Sequence, residues 1–306
     1  MIKPKVIVIC GPTASGKTAL SIELAKKIDG EIISADSMQI YEDMDIGTAK
    51  PSKEETDGIP HHLIGYVSPE ERYSVARYKK DAIKKIDEVL QRGKYPIIVG
   101  GTGLYVDSLV NWVEYDDIKI DLEYRDKLEK LAEKQGLEFV YDKAMQVDPE
   151  AMKKISKNDK KRIFRVLEIY NATGKTKTEQ EIESRRKENP YNFKIFGINM
   201  EREKLYERIN LRVDIMIKQG LVQEVENIIK KYKGFPTAMQ ALGYKEVIEY
   251  LKGEINEEEM IEKIKRESRR YAKRQITWFK RNENIIWLDG LNDRQNNIKI
   301  ILEGIK

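Results

Sequence analysis

Hydrophobic and polar positions follow two regimes along the chain. "KVIVIC" (5–10) is a short continuous apolar run, which predicts a strand buried on both faces. Leu20, Leu24 and Ile28 then recur every four residues and put one apolar stripe on a helix. "EIISAD" (31–36) reads as a second strand. "ARYKKDAIKKIDEVLQRG" (76–93) is an amphipathic helix that stops at Gly93, and "YPIIVGG" (95–101) follows as another buried strand. Strands and helices alternating in this way imply an α/β domain with a mostly parallel sheet.

From residue 116 the regime changes. "DLEYRDKLEKLAEKQG" and "KRIFRVLEIYNATG" carry helical periodicity, and no strand-like run interrupts them before "ENPYNF". "KIFGINM" (194–200) returns to a strand. After it come "REKLYERINLRVDIMIKQG", "LVQEVENIIKKY", a basic helix over 256–281, and "NIIWLDG" (284–290) as a late strand. The pattern predicts one α/β core made of 1–115 and 193–306, with a helical insertion over 116–192. No internal repeat or low-complexity linker is present.

Composition narrows the class. Of 306 residues, 40% are apolar and 35% charged, as in a soluble globular protein. No apolar run approaches the roughly 20 residues of a membrane span. The start lacks a signal-peptide cleavage site. The single cysteine, Cys10, excludes an internal disulfide and a cysteine zinc cluster, and points to a reducing cytoplasm. Net charge is only +4, but it is unevenly spread. Residues 263–281 carry nine basic residues and one acid, and residues 153–165 carry seven and one, so the rest is acidic. Two cationic stretches with interleaved aromatics suit a polyanionic partner, although solvated helix faces would look the same.

The chemistry begins at "GPTASGKT" (11–18), which fits the phosphate-loop pattern and has a strand before it and a helix after it. Gly11 and Gly16 let backbone amides turn inward on phosphate oxygens. Pro12, Thr13, Ala14 and Ser15 span the loop between them. Lys17 supplies a point charge, and Thr18 is placed to hold Mg²⁺ through its hydroxyl. The helix N-terminus favours the same anion. The motif indicates phosphate without saying which molecule carries it. Asp36 ends the second strand, where ligands bind in open α/β sheets. It could take a proton, hold Mg²⁺ or cap a helix. "GGTGLY" (100–105) is either a close-approach loop or a tight turn, with Thr102 as a hydrogen-bonding group. His61 and His62, the only histidines, lack helical metal-pair spacing and read as structural or substrate-shaping. Arg208 and Arg212 share a helix face; Arg212 could grip a diphosphate or pair on the surface with Glu203 or Asp214. Arg266, Arg270 and Arg274 share a face opposite Ile264, Ala272, Ile276 and Phe279, which suits phosphate-backbone contact. Tyr271 and Trp278 could stack on bases or pack.

Taken in order, "GPTASGKT", "SADSMQIY", "DIGTAKPS", "PHHLI", "GGTGLY", "MQALGYKE" and "KRQITWFKR" span most of the chain and resemble the bacterial tRNA dimethylallyltransferases. The resemblance implies a fold similar to phosphate-loop kinases, with the loop holding dimethylallyl diphosphate. The implied acceptor is the exocyclic amine of the adenine on the 3′ side of the anticodon, in tRNAs that read codons beginning with U. It implies Lys17, Thr18 and Mg²⁺ at the diphosphate, Asp36 as general base, Thr102 beside it and Arg212 on the leaving group. It implies tRNA contact at Asp36, Ser37, Met38, Gln39 and Thr102, and at Arg125, Lys161, Arg162, Ile163, Phe164 and Arg165 in the insertion. Gly243, Tyr244, Lys273, Arg274, Gln275, Trp278 and Lys280 would line the RNA path. Gly65 stands where many relatives have Asp, and the zinc finger of eukaryotic members is absent. A monomer is expected. The rival readings are a nucleotide kinase, an isopentenyltransferase acting on free AMP, and a non-catalytic RNA-binding ATPase.

Overall fold

The computed structural model describes residues 2–114, 121–185 and 187–306. The chain runs β1 (Lys5–Cys10), α1 (Lys17–Ile28), β2 (Gly30–Ser34), α2 (Lys53–Thr56), β3 (His61–His62), α3 (Val75–Gln91), β4 (Tyr95–Gly100) and α4 (Gly103–Val110). Helices α5 (Leu122–Gln135), α6 (Leu137–Val147), α7 (Pro149–Met152), α8 (Lys160–Thr173) and α9 (Lys177–Arg185) follow. The last third is β5 (Asn192–Asn199), α10 (Arg202–Lys218), α11 (Leu221–Lys231), α12 (Tyr244–Leu251), α13 (Glu257–Phe279), β6 (Ile286–Asp289) and α14 (Arg294–Gly304).

The strands form one parallel six-stranded sheet in the order β3-β2-β4-β1-β5-β6. Ile7 of β1 lies opposite Ile97 of β4 and Lys194 of β5. The continuous apolar strands are explained by cover on both sides. Ile7 and Ile9 share a core with Leu20 and Leu24 of α1 and Ile298 and Ile301 of α14. Val6, Val8 and Cys10 alternate to the other face and are equally buried, as are Tyr78, Ala82, Ile86 and Val89 of α3. β4 lies between β1 and β2, so the loops after these three strands meet at one end of the sheet, where ligands bind in this class. Hydrogen bonds from Ala35 N to Val99 O (2.7 Å) and from Thr102 N to Ala35 O (3.1 Å) stitch two of those loops together.

Two short elements escape periodicity. β3, inside "PHHLI", is only two residues long and forms a sheet edge. α2 rests on a capping box between Ser52 and Glu55 rather than on an apolar stripe.

The chain divides into two compact units, Met1–Leu109 with Pro190–Lys306, and Val110–Asn189. The helical unit thus begins at 110 and ends at 189, against the 116–192 expected from the pattern. Its core gathers Leu128, Val140, Tyr141, Met152, Ile163 and Phe164. Buried Asp148 ties it: its carboxylate accepts from Ala151 N at the start of α7 and from Thr178 N and Oγ1 at the start of α9.

Candidate active site

The loop after β1 delivers the phosphate-binding motif. Gly16, the N-cap of α1, has φ +91°, a left-handed geometry that side chains resist. Lys17 Nζ donates to the carbonyls of Gly11 (3.0 Å) and Pro12 (2.6 Å). Arg212 reaches the loop from α10, with Nη1 3.4 Å from Thr13 Oγ1. Burial first, and the nearby Arg212 second, push the Lys17 ammonium down to about 8, with Asp36 pulling the other way. Burial lowers the Arg212 guanidinium as well, again opposed by Asp36. Two cations therefore sit close together, partly desolvated, with Asp36 as the counter-charge that acts on both. That arrangement repels itself until an anion arrives. The Ser15 hydroxyl in the same loop is buried without a hydrogen-bond partner, a further donor available to an oxyanion.

Asp36 follows β2. Its Oδ1 accepts from Met38 N (2.9 Å) and Gln39 N (3.3 Å). No helix starts there, so this is a local turn that fixes the carboxylate and not a helix cap. Oδ2 takes no hydrogen bond among the described residues. Thr102 Oγ1 accepts from Ser37 N (3.0 Å) and so braces this turn from the β4 side.

α13 closes the site. Gln275 accepts from Thr13 N (2.9 Å) and donates to Gly101 O (2.9 Å), linking the phosphate loop to the glycine loop. A Cβ on Gly101 would overlap the Gln275 amide, which is why close approach, and not a positive φ, demands glycine there. A cavity of about 380 Å³ opens between these elements. Its wall includes Lys17, Thr18, Asp36, Arg212, Tyr271 and Arg274. Burial, with Asp36 nearby, pushes the Tyr271 phenol up to about 12, so it stays a neutral hydrogen-bonding group.

The cavity gathers part of the expected set and leaves the rest outside its wall. Ser37, Met38, Gln39, Gly243 and Gln275 line it. Gln39, however, gives its amide hydrogens to the carbonyls of Thr48 and Ala49 (both 3.2 Å), and Ser34 donates to its oxygen. Tyr244 is fully buried beneath the cavity, with its hydroxyl on Glu224 (2.6 Å). It is a packing residue and not an RNA contact. Trp278 is also a packing residue: its Nε1 donates to Asp107 (2.8 Å), its ring meets Gly103, and Arg281 lies 5.5 Å from the ring centroid. Ile163 and Phe164 are buried at 0% and 1% exposure in the helical unit, so their side chains cannot touch RNA. Arg162 and Lys161 are exposed. Buried Glu168 holds Arg125 (3.3 Å) and Arg165 (3.7 Å).

Charge counted along the chain overstates both patches. Glu150, Glu138, Glu129 and Asp159 pair with Lys153, Lys157, Lys160 and Arg162. On α13, Lys263 meets Glu249, Lys265 meets Asp214, and Arg266 and Arg270 share Glu267. Lys273, Arg274 and Lys280 are exposed, as is Lys245; of these, Arg274 and Lys245 line the cavity. Asp214, one of the two surface partners considered for Arg212, is held instead by Lys265.

His62 bonds Glu31 (2.7 Å) and His61 bonds Ile59 O (2.8 Å), so both histidines are structural. Gly65 has φ +57°, and its N–H donates to Gln39 O (2.8 Å). A Cβ there would sit 3.1 Å from Lys50 Nζ. Sequence reasoning missed Ile209, Val213 and Met216, which line the cavity beside Arg212. Their spacing on α10 is helical and could have revealed the face. Thr48 and Ala49 line the cavity too; the motif "DIGTAKPS" marks them in the sequence without giving them a role.

Among the described residues no group of three or more His, Cys, Asp or Glu could cage a metal ion. Mg²⁺ commonly takes one or two protein ligands and completes its shell with phosphates and water. The exposed Thr18 hydroxyl, beside Lys17 in the cavity wall, fits that mode.

A family model described as IPP transferase matches residues 39–282. The tRNA dimethylallyltransferase of Acetivibrio thermocellus is 53% identical over 285 residues, covering 93% of this chain and 91% of that relative. Among solved structures, the tRNA isopentenylpyrophosphate transferase of Bacillus halodurans is 43% identical with a TM-score of 0.73, covering 99% of this chain and 96% of that one. A eukaryotic dimethylallyltransferase acting on tRNA is 33% identical with a TM-score of 0.81, covering 99% and 79%.

Proposed function

The chain belongs to the IPP transferase family, and from that premise we propose that it transfers a dimethylallyl group from dimethylallyl diphosphate to tRNA. The acceptor is the exocyclic amine of the adenine on the 3′ side of the anticodon, in tRNAs reading codons that begin with U, and diphosphate is released. One observation carries the reading. Lys17 and Arg212, two cations in need of an anion, line the same cavity as the braced carboxylate of Asp36.

An adenine amine is a weak nucleophile, and its pKa as an acid is far above neutral. Asp36 therefore removes the proton as the carbon–nitrogen bond forms, acting as a general base in the transition state. The turn that holds Oδ1 leaves Oδ2 for that proton. Bond breaking at the allylic carbon leaves negative charge on the diphosphate. The loop amides, Lys17 and Arg212 stabilise it, and the gain is largest when charge has developed on the leaving group. When bound, Mg²⁺ would be held at Thr18 and would neutralise further diphosphate charge. Thr102 acts through Ser37 to steady the Asp36 turn. Arg274 and Tyr271 lie in the cavity wall where an unstacked base would enter, and unstacking costs a few kcal/mol that such contacts offset.

Lys273, Arg274 and Lys280 on the core, and Arg125, Lys161, Arg162 and Arg165 on the insertion, are the cations proposed for the anticodon stem-loop backbone. No helix among the described residues is long and apolar enough to cross a membrane, and the free, buried Cys10 suits the cytoplasm.

The test is incubation with labelled dimethylallyl diphosphate and tRNA, AMP or no acceptor, with ATP consumption followed in parallel. Transfer to tRNA alone is expected. Transfer to AMP, or ATP turnover without transfer, would replace this reading with a free-nucleotide enzyme or an ATPase.

A further inference from the structure

The motif "DIGTAKPS" has no part in the chemistry above, yet its residues Gly47, Thr48 and Ala49 line the cavity. What holds them is a side chain from another element. Glu224, on α11, accepts hydrogen bonds from three consecutive backbone amides: Asp45 N (3.0 Å) and Ile46 N (2.7 Å) on Oε2, and Gly47 N (3.1 Å) on Oε1. Tyr244 donates its hydroxyl to the same Oε1 at 2.6 Å. Three amides turned inward on one anion form a nest of the kind that elsewhere binds phosphate. Here the protein fills it with its own carboxylate. The loop is pressed onto this latch, because a Cβ on Gly47 would overlap the Tyr244 ring.

The latch leads to the reacting centre. Beyond Gly47, the carbonyls of Thr48 and Ala49 accept from Gln39 Nε2. Gln39 N in turn donates to Asp36 Oδ1. The path from Glu224 to the carboxylate therefore consists of backbone and one oriented amide, with no exposed side chain in it.

We propose that Glu224 is a positioning residue: seated in the amide nest of residues 45–47, it fixes the loop wall and, through Gln39, the carboxylate of Asp36. This rests on the reaction assigned above. Its chemistry demands a carboxylate. Both oxygens of Glu224 accept, from four donors in all. A glutamine offers one acceptor oxygen and turns N–H groups toward the remaining donors, leaving loop amides without their partner.

Glu224→Gln and Tyr244→Phe test it, read by hydrogen exchange and by steady-state transfer to an anticodon stem-loop. In Glu224→Gln the amides of residues 45–47 are expected to exchange at least about tenfold faster, and kcat for tRNA to fall about 10- to 100-fold. KM for dimethylallyl diphosphate and the affinity for inorganic diphosphate should stay within about twofold. Tyr244→Phe, which keeps all three amide bonds, should show the same pattern more weakly. Unchanged exchange in Glu224→Gln overturns the latch whatever the enzyme does. Unchanged kcat, or a matching loss of diphosphate binding, overturns the positioning role. A wild-type protein that modifies no tRNA refutes the assigned reaction, while the exchange data still decide the latch.

Discussion

Inorganic diphosphate should bind this protein less tightly as pH rises, and Lys17 sets the size of the effect. In the free protein its ammonium is pushed down to about 8 by burial and by Arg212. Bound diphosphate puts anionic oxygens beside it and restores the lysine to its ordinary range of about 10.4 or above. The complex therefore keeps a proton that the free protein begins to lose near pH 8, so binding takes up protons and affinity falls with rising pH. With these values the free lysine goes from about nine-tenths charged at pH 7 to about one-tenth at pH 9, an affinity loss of about tenfold, or about 1.4 kcal/mol. Diphosphate titrates in the same range, so the comparison is with Lys17→Arg, whose guanidinium stays charged. Titration calorimetry at pH 7, 8 and 9, in buffers of different ionisation heats, gives both affinity and proton uptake. The expected result is a wild-type to variant affinity ratio that falls about tenfold across the range. A flat ratio, or proton release at pH 8, would refute the reasoning. Folding responds with the opposite sign. Between about 8 and 10.4 the unfolded chain holds more protons at Lys17 than the native one, so the ligand-free protein gains stability as pH rises through that window.

Asp36→Ala should lower turnover by about 10²- to 10⁴-fold while tRNA affinity persists, measured by single-turnover transfer and filter binding; unchanged turnover would rule out the general base. Gly101→Ala drives a methyl into Gln275 and should weaken diphosphate binding through Thr13, whereas Gln275→Ala should relieve that clash in the double variant. Lys273→Ala with Lys280→Ala should weaken tRNA binding and flatten its salt dependence by about one unit for each phosphate left without its cation; an unchanged salt slope would move the RNA surface elsewhere. Phe164→Ala should destabilise the helical insertion by about 3–5 kcal/mol in denaturant melts, because the ring is fully buried.

The sequence by itself determined the sheet class, the phosphate loop and the placement of Asp36. These are local facts. A continuous apolar run makes a doubly covered strand, and a glycine-rich turn between strand and helix makes an anion cradle. The helical character of 122–135 and 161–173 was legible for the same reason, since its periodicity is contained within each helix. Other features depended on which distant residues meet. The basic stretches look strongly cationic in one dimension, but Glu129, Glu138, Glu249 and Asp214 come from other elements to pair with them. Trp278 could be read as stacking on a base or as packing, and Tyr244 lay on the RNA path that the resemblance implies; only the structure shows Asp107 and Glu224 holding their polar ends. Only the tertiary structure desolvated Lys17 beside Arg212, 195 positions away, and so shifted its charge toward neutrality. Burial and pairing depend on distance in space, and the order of residues carries that information only within a single element.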